Sequence, residues 1–536
     1  MNLINDPWLI YKLQDGTEQT LPITAIADPR VVDFALPRAD FQGAAYQFSI
    51  ALLQTTFAPE DTYQWHDLYE QAPTEGQLNR TIASAAHAFN TLGDGPLFMQ
   101  DLDPLNAVKP NPVAGLLIEA PGKNTLKLNT DHFIKREATN VMSLAMANLA
   151  LFTLQINAPS GGRGHRAGLR GGGPLTTLVL PQQAHSTLWQ KLWLNIINRD
   201  EWRYTRPDLH SPLIFPWLHQ TKTSEAEGSE IYASDLHPLA IYWAMPRRIR
   251  LDVIDGQNTC QISGLRATKT VARYRTKHYG HNYSGTWQHP LTAYKWDPNK
   301  PELDHLSAKG QQGGVTYKTW PALVFASNKK GQACARVVSH FYTLVDGFSG
   351  SMSEVPRLWA FGYDMDNAKA RGWYATSLPL FNVPVEQHDD IWAAVQALHK
   401  VADSLLKQCR GQIKKAWFGD KGKDKDRTPS GDYTFIDLAF WQTTEDAFYT
   451  AAQQVIEQVS NNQTALLANQ ASQWLAAMRR AALALFDEYA LSGLGNERSM
   501  AKRVKARLSL VNWLYASKDI KTFINEHNIE STKESN

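Results

Sequence analysis

The chain has 536 residues, long enough for two to four domains with full cores, and its 43% hydrophobic and 20% charged content is ordinary for a soluble globular protein. Its 54 basic residues against 52 acidic ones leave a net charge of +2, which excludes a globally cationic polyanion binder and confines any nucleic-acid contact to a local patch. Cys260, Cys334 and Cys409 lie far apart, with no disulfide framework and no zinc-ligand spacing.

The N-terminus has neither a basic n-region nor a long apolar run, and no apolar stretch reaches spanning length, so the expectation is a cytoplasmic protein without a membrane segment. Asp6-Pro7-Trp8 reads as a turn entering a short strand at Leu9-Ile10. Asp40 is placed to N-cap a helix whose apolar face is Phe41, Ala44, Ala45, Phe48 and Leu52. Pro96–Gln100 is an apolar run expected in the core. Asn124–Arg136 is polar and aperiodic, and its Asp131-His132 pair has no further ligands at metal spacing. From Glu137 to Asn157 a helical pattern delivers the chain into its most unusual stretch.

That stretch is Ser160–Leu180, SGGRGHRAGLRGGGPLTTLVL. Its glycines, Gly161, Gly162, Gly164, Gly168, Gly171, Gly172 and Gly173, surround Arg163, His165, Arg166 and Arg170. A backbone so bare of Cβ atoms can take positive φ, approach a surface closely and line an anion site with its N–H groups. Neither a phosphate-loop nor a dinucleotide fingerprint is present, so the basic side chains point to a polyanion, nucleic acid first. Pro174 ends the loop, and Leu175–Leu180 reads as a buried strand.

Leu188–Ile254 mixes aromatic runs with prolines, as in an α+β region with long connections. In Val271–Trp296, Arg273, Arg275, Lys277 and His278 interleave with Tyr274, Tyr279, Tyr283 and Trp287, which suits phosphate contact beside stacking faces or, equally, a half-buried sheet. Leu358–Leu380 reads as strand, turn and strand around Asp364-Met365-Asp366-Asn367, with Lys369 and Arg371 on one face of the returning strand. After Pro384 the chain is helical: a segment headed by Asp389-Asp390 with Ile391, Val395, Leu398, Leu405 and Cys409 on one stripe, then Phe435–Val459, Thr464–Leu491 and Arg498–Tyr515. The last carries Arg498, Lys502, Arg503, Lys505 and Arg507 opposite Val504, Leu508 and Val511. Gly419–Arg427 is a solvated loop of mixed charge. The fold class is therefore α+β: a mixed α/β domain with irregular loops over 1–380, a four-helix bundle over 381–525, and a flexible tail over 526–536.

The motifs Leu3–Leu9, Gly95–Asp101, Ala158–Thr177, Tyr274–Tyr294 and Phe361–Tyr374, running in order, resemble the large (CasA) subunit of the type I-E CRISPR surveillance complex, Cascade. The resemblance implies a subunit without catalysis or cofactor. Its implied partners are the 5′ handle of the CRISPR RNA, double-stranded target DNA, the backbone, handle-capping and small Cascade subunits, and a helicase-nuclease that it recruits. Such a subunit reads the short flanking motif (the PAM) while base pairing reads the target. Carried over, the motif-reading loop falls on Gly162, Arg163, Gly164 and His165, with Arg166 and Arg170 beside it. A groove-probing lysine falls near Lys277, with Arg275 as competitor. The strand-separating wedge falls on Asp366 and Asn367, with Lys369 and Arg371 holding its strands, and the RNA-handle loop on Thr130, Asp131, His132 and Phe133. Lys502, Arg503, Lys505 and Arg507 would guide the displaced strand.

Three departures from relatives stand out. A zinc-binding cysteine cluster is reduced to Cys260, so no metal is expected; Asp366 stands where some relatives have an amide; and Arg163 takes a place suited to a smaller residue. Two other readings remain open at this level: a metal-dependent nuclease using Asp364, Asp366, His388 and Asp389, and a scaffold that binds protein alone.

Overall fold

The computed structural model describes residues 1–131, 136–162, 164–183, 186–347, 356–366, 368–419, 431–463, 466–492 and 497–529. It divides into two compact units, Met1–Gln311 with Asn328–Ser377, and Gln312–Ser327 with Leu378–Asn536.

In the first unit, β1 (Leu9–Leu13) leaves the Pro7-Trp8 turn as expected and lies between β2 (Glu18–Leu21) and β3 (Val31–Phe34), antiparallel to both. The helix that follows, α1 (Ala39–Thr56), buries the expected stripe, but also Tyr46, Gln47, Ser49 and Ile50, so it runs through the interior rather than over it. Phe48 is the hub: Trp8, Phe89, Phe98, Phe152 and Trp243 meet it edge-on with ring centroids between 5.2 and 5.9 Å. Leu97, Phe98 and Met99 are buried in that core, as the apolar run at Pro96–Gln100 suggests. Asp40 is not the N-cap, a position Arg38 occupies. Instead it sits in the first turn, accepting from the Arg38 guanidinium at 2.8 Å and from the Tyr363 hydroxyl at 2.5 Å.

Further along, α2 (Leu144–Asn157) starts later than Glu137, because Met142-Ser143 pairs as a strand with Thr270-Val271. Ser143 then caps the helix, its hydroxyl accepting from the Met146 N–H at 3.2 Å. The glycine-rich stretch ends in β4 (Thr176–Leu180), buried as read. A long antiparallel ribbon follows in β5 (Arg248–Thr259) and β6 (Arg266–Lys277). Then β7 (Arg357–Asp366) and β8 (Lys369–Pro379) form the expected hairpin. Its sheet order is β8-β7-β4, with Phe361 opposite Thr176 and Arg357 opposite Leu180. The chain leaving the glycine loop therefore runs beside the strand that feeds the hairpin. Gly43 of α1 permits the close packing beneath: a Cβ there would stand 2.7 Å from the Phe361 ring.

The second unit is helical. Its axis is α3 (His388–Phe418), and around it pack α4 (Thr434–Thr443), α5 (Glu445–Ser460), α6 (Ala468–Phe486), α7 (Glu497–Ala516) and α8 (Lys518–Glu526). The Ile391–Cys409 stripe is buried as expected. Asp389 and Asp390 lie in the first turn, favourably placed for the helix dipole, while Gln387 holds the cap position. The expected Phe435–Val459 helix breaks at Thr444, whose hydroxyl turns back on the Phe440 carbonyl (2.7 Å) and meets the Tyr317 hydroxyl (2.9 Å). Tyr317 comes from the Gln312–Ser327 segment, which sequence alone does not join to this unit.

The apolar face of α7 is rotated from the one expected. Ala506, Leu510 and Leu514 face inward, while Val504 and Leu508 are 47% and 61% exposed. The long Arg503 and Arg507 side chains take the inward side, Arg507 in a bidentate bond to Asp487 at 2.7 and 2.9 Å. All three cysteines are free and buried. Among the described residues no helix is long and apolar enough to cross a membrane. The Gly419–Arg427 loop and the tail lie largely outside the described residues.

Candidate nucleic-acid interface

The glycine loop is closed by its own backbone. His165 N–H donates to the Gly162 carbonyl and Gly161 N–H to the His165 carbonyl, both at 3.2 Å. Gly162 and Gly164 sit at φ +82° and +76°, where a side chain is strained. The Gly164 carbonyl accepts from the Tyr279 N–H at 2.7 Å, which docks the loop onto the chain just past the end of β6. No side chain fits at Gly164: a Cβ would meet His278 Cβ at 2.9 Å and the Tyr279 ring at 3.1 Å. Gly161 and Gly162 face solvent, so the outer rim of the loop is exposed backbone.

The side chains expected to bind DNA divide sharply. His165 stays at the rim, its ring centroid 4.4 Å from that of His278. Arg166 turns away and pins Ser224, donating to its hydroxyl and its carbonyl at 2.8 Å each. Arg170 is buried: it is 5% exposed and donates to Thr176, Thr292 and Gln47, so its guanidinium lies under the surface. Burial pushes its guanidinium down to about 10. Arg163 lies outside the described residues.

The two cations of the ribbon sit in different surroundings. Arg275 is occupied, paired with Asp252 at 2.9 Å and donating to the Asn106 and Val108 carbonyls. Lys277, at the end of β6 next to the loop, is exposed, and its ammonium makes no bond among the described residues.

At the hairpin, Arg371 clamps the buried carboxylate of Asp364 in a bidentate bond at 3.0 and 2.8 Å, with Asp366 3.9 Å away. That partner raises the Arg371 pKa. Lys369 and Asp366 are exposed near the tip, and Asn367 lies outside the described residues. Asp131 holds its loop by a bidentate bond to Arg136 at 2.6 Å, and Thr130 N–H donates to the Thr125 carbonyl. His132 and Phe133 lie outside the described residues. On α7, Lys502 and Lys505 are exposed, whereas Arg507 is committed to Asp487 and Arg503 is half-buried.

The residues of the nuclease reading fall in both units. Asp364 and Asp366 belong to the first unit, His388 and Asp389 to the second. Asp364 is held by Arg371, His388 Nδ1 accepts from the Ala326 N–H, and Asp389 accepts from the Ser327 hydroxyl. Among the described residues, no group of three or more His, Cys, Asp or Glu is arranged to hold a metal ion.

Two cations beneath the loop are invisible to motif reading. Arg247 donates to the Pro159 carbonyl, and Lys309 Nζ donates to the Arg170 carbonyl at 2.5 Å. Neither belongs to the glycine-rich stretch, so only the fold brings them under its glycines.

The family described as CRISPR-associated protein Cse1 matches residues 2–485. Among solved structures, Cse1 from Thermobifida fusca is similar at a TM-score of 0.69 and 17% identity, over 98% of each chain. CasA from Thermus thermophilus is similar at 0.64 and 16%, over 96% of this chain and 99% of that one. A chain of a CRISPR RNA-guided surveillance complex is similar at 0.63 and 16%, over 95% and 99%.

Proposed function

The chain belongs to the CRISPR-associated Cse1 family, the large subunit of type I-E Cascade, and from that premise we propose that it is a non-catalytic subunit that reads the PAM in duplex DNA. Beyond the family, the reading rests chiefly on one observation: a solvent-facing glycine rim, fixed by positive-φ turns, lies beside the exposed Lys277. Bare backbone of this kind suits the floor of a minor groove, whose donor and acceptor pattern is degenerate, so several motifs would be accepted. Lys277 supplies a phosphate or base-edge contact next to the loop, and His165 with His278 lines the rim.

In this account duplex DNA is held electrostatically along the ribbon and the loop until a suitable motif lets the rim seat. The β7–β8 hairpin then stabilises an unstacked base step costing about a few kcal/mol. The displaced strand would run along Lys502 and Lys505. The other Cascade subunits and the 5′ handle of the guide RNA are the assembly partners, the latter through the Thr130–Phe133 loop. Opening of the target ends in recruitment of a helicase-nuclease.

The test is Gly164→Trp in the guide-loaded complex, read as equilibrium binding of a target duplex. Loss of binding at every motif is expected; unchanged binding would contradict loop seating.

A further inference from the structure

Three cations lie against the inner side of the glycine loop, and none has a carboxylate partner among the described residues. Arg170 is held by the hydroxyls of Thr176 and Thr292 and by the Gln47 amide oxygen. Arg247 donates to the Pro159 carbonyl, stands close to Gly161, and its buried Nε has no hydrogen-bond partner among the described residues. Lys309 donates to the Arg170 carbonyl and lies under Gly171, where a Cβ would stand 2.6 Å from Nζ. Two other arginines of the candidate site are neutralised, Arg275 by Asp252 and Arg371 by Asp364. Beneath the loop, by contrast, cations are buried without counter-charge among the described residues.

We propose that Arg170, Arg247 and Lys309 form a cationic floor that draws a DNA phosphodiester onto the glycine rim, with Lys309 as the positioning residue that makes seating pH-dependent. The inference rests on the reading of the loop as a DNA contact. Bare glycines let an anion approach the floor, and buried charge in low dielectric acts on it more strongly than exposed charge would. Burial lowers all three, Arg170 and Arg247 to about 10 and Lys309 to about 8, the last with help from Arg170. Arg170 from the loop faces Lys309, Tyr294 and His289 face Arg170 in turn, and Asp364 pairs across the bridge at Gly310, the residue after Lys309. Burial keeps Tyr294 and His289 neutral near pH 8, and Asp364 is paired with Arg371. Lys309 is therefore the group of the floor that titrates near neutral pH.

The sign follows from linkage. A bound phosphate favours the protonated amine, so affinity is full below about pH 8 and falls above it. Folding has the opposite sign: the unfolded chain binds more protons between about 8 and the usual lysine value, so stability rises over the same range.

The experiment measures target-duplex binding by the guide-loaded complex from pH 7 to 9.5, with wild type, K309R and K309M, alongside thermal unfolding of each chain. Wild type should lose roughly tenfold in affinity across the range. K309R should hold its affinity, because arginine stays charged. K309M should bind weakly at every pH while unfolding no earlier than wild type. A wild-type profile that K309M reproduces would overturn the floor. The Gly164→Trp complex separates the two claims: if it binds normally, the loop reading itself fails, whereas if it fails to bind and the pH profile is unchanged by Lys309, only the floor fails.

Discussion

Gly173 lies so close to Met365 that a Cβ on the glycine would stand 2.5 Å from Met365 Cγ and 2.8 Å from the Tyr363 carbonyl oxygen. This contact joins the end of the glycine loop to the strand that feeds the hairpin, so the proposed motif-reading loop and the proposed wedge share one backbone joint. At φ +60° the position also disfavours any side chain. Gly173→Val should cost about 1–3 kcal/mol, seen as a drop in melting temperature of a few degrees. It should also slow duplex opening more than initial binding, as read by a fluorescent base beside the motif. Equal effects on both steps would dissociate the joint from opening.

The Asp364–Arg371 pair is a structural clamp. Arg371→Gln leaves a buried carboxylate unpaired and should cost about 1–3 kcal/mol, discounted because the arginine is partly exposed. Asp364→Asn in the same chain should recover most of that loss. A double-mutant cycle checks it, and additive losses would contradict a direct pair.

Lys277 and Arg275 should separate cleanly. Lys277→Ala is expected to weaken duplex binding and lower the salt slope by about 1, with no change in melting temperature. Arg275→Ala should cost about 1 kcal/mol of stability and leave the slope unchanged, since its guanidinium is spent on Asp252 and two carbonyls. Titrating both variants with target duplex across a range of salt concentrations decides it.

The spacing of sequence features conveyed some of this and hid the rest. Periodicity placed the Ile391–Cys409 stripe and the hairpin strands, because burial on one face leaves a regular pattern. It misplaced the start of α2, where pairing of Met142-Ser143 with β6 overrides helix propensity. Charge was the least legible feature. Arg170 and Lys277 look alike in sequence, yet one is enclosed by Gln47, Thr176 and Thr292 and the other faces solvent. Arg507 likewise reads as a surface cation until Asp487 comes alongside it. Only tertiary packing decides which cation is free.

Two buried histidines contribute to the acid response, one in each unit. His281 accepts from the Lys222 N–H through Nε2, and burial lowers it to about 4; His399, packed on Phe448 and Tyr317, is lowered to about 4 as well. A depressed pKa in the folded state means the stability they contribute is complete above about 6.5 and is lost as pH falls through about 4. His281→Asn and His399→Leu should each flatten the fall in stability between pH 6.5 and 4, measured by urea unfolding. Profiles identical to wild type would contradict it.

Whether the glycine rim reads the flanking motif is decided by binding of a target duplex by the guide-loaded complex, with and without this chain, across a panel of flanking motifs. Binding should require the chain and vary with the motif, and the variation should disappear when Gly164 or Lys277 is replaced. Binding that is indifferent to the chain, or a motif preference that survives both replacements, would contradict it.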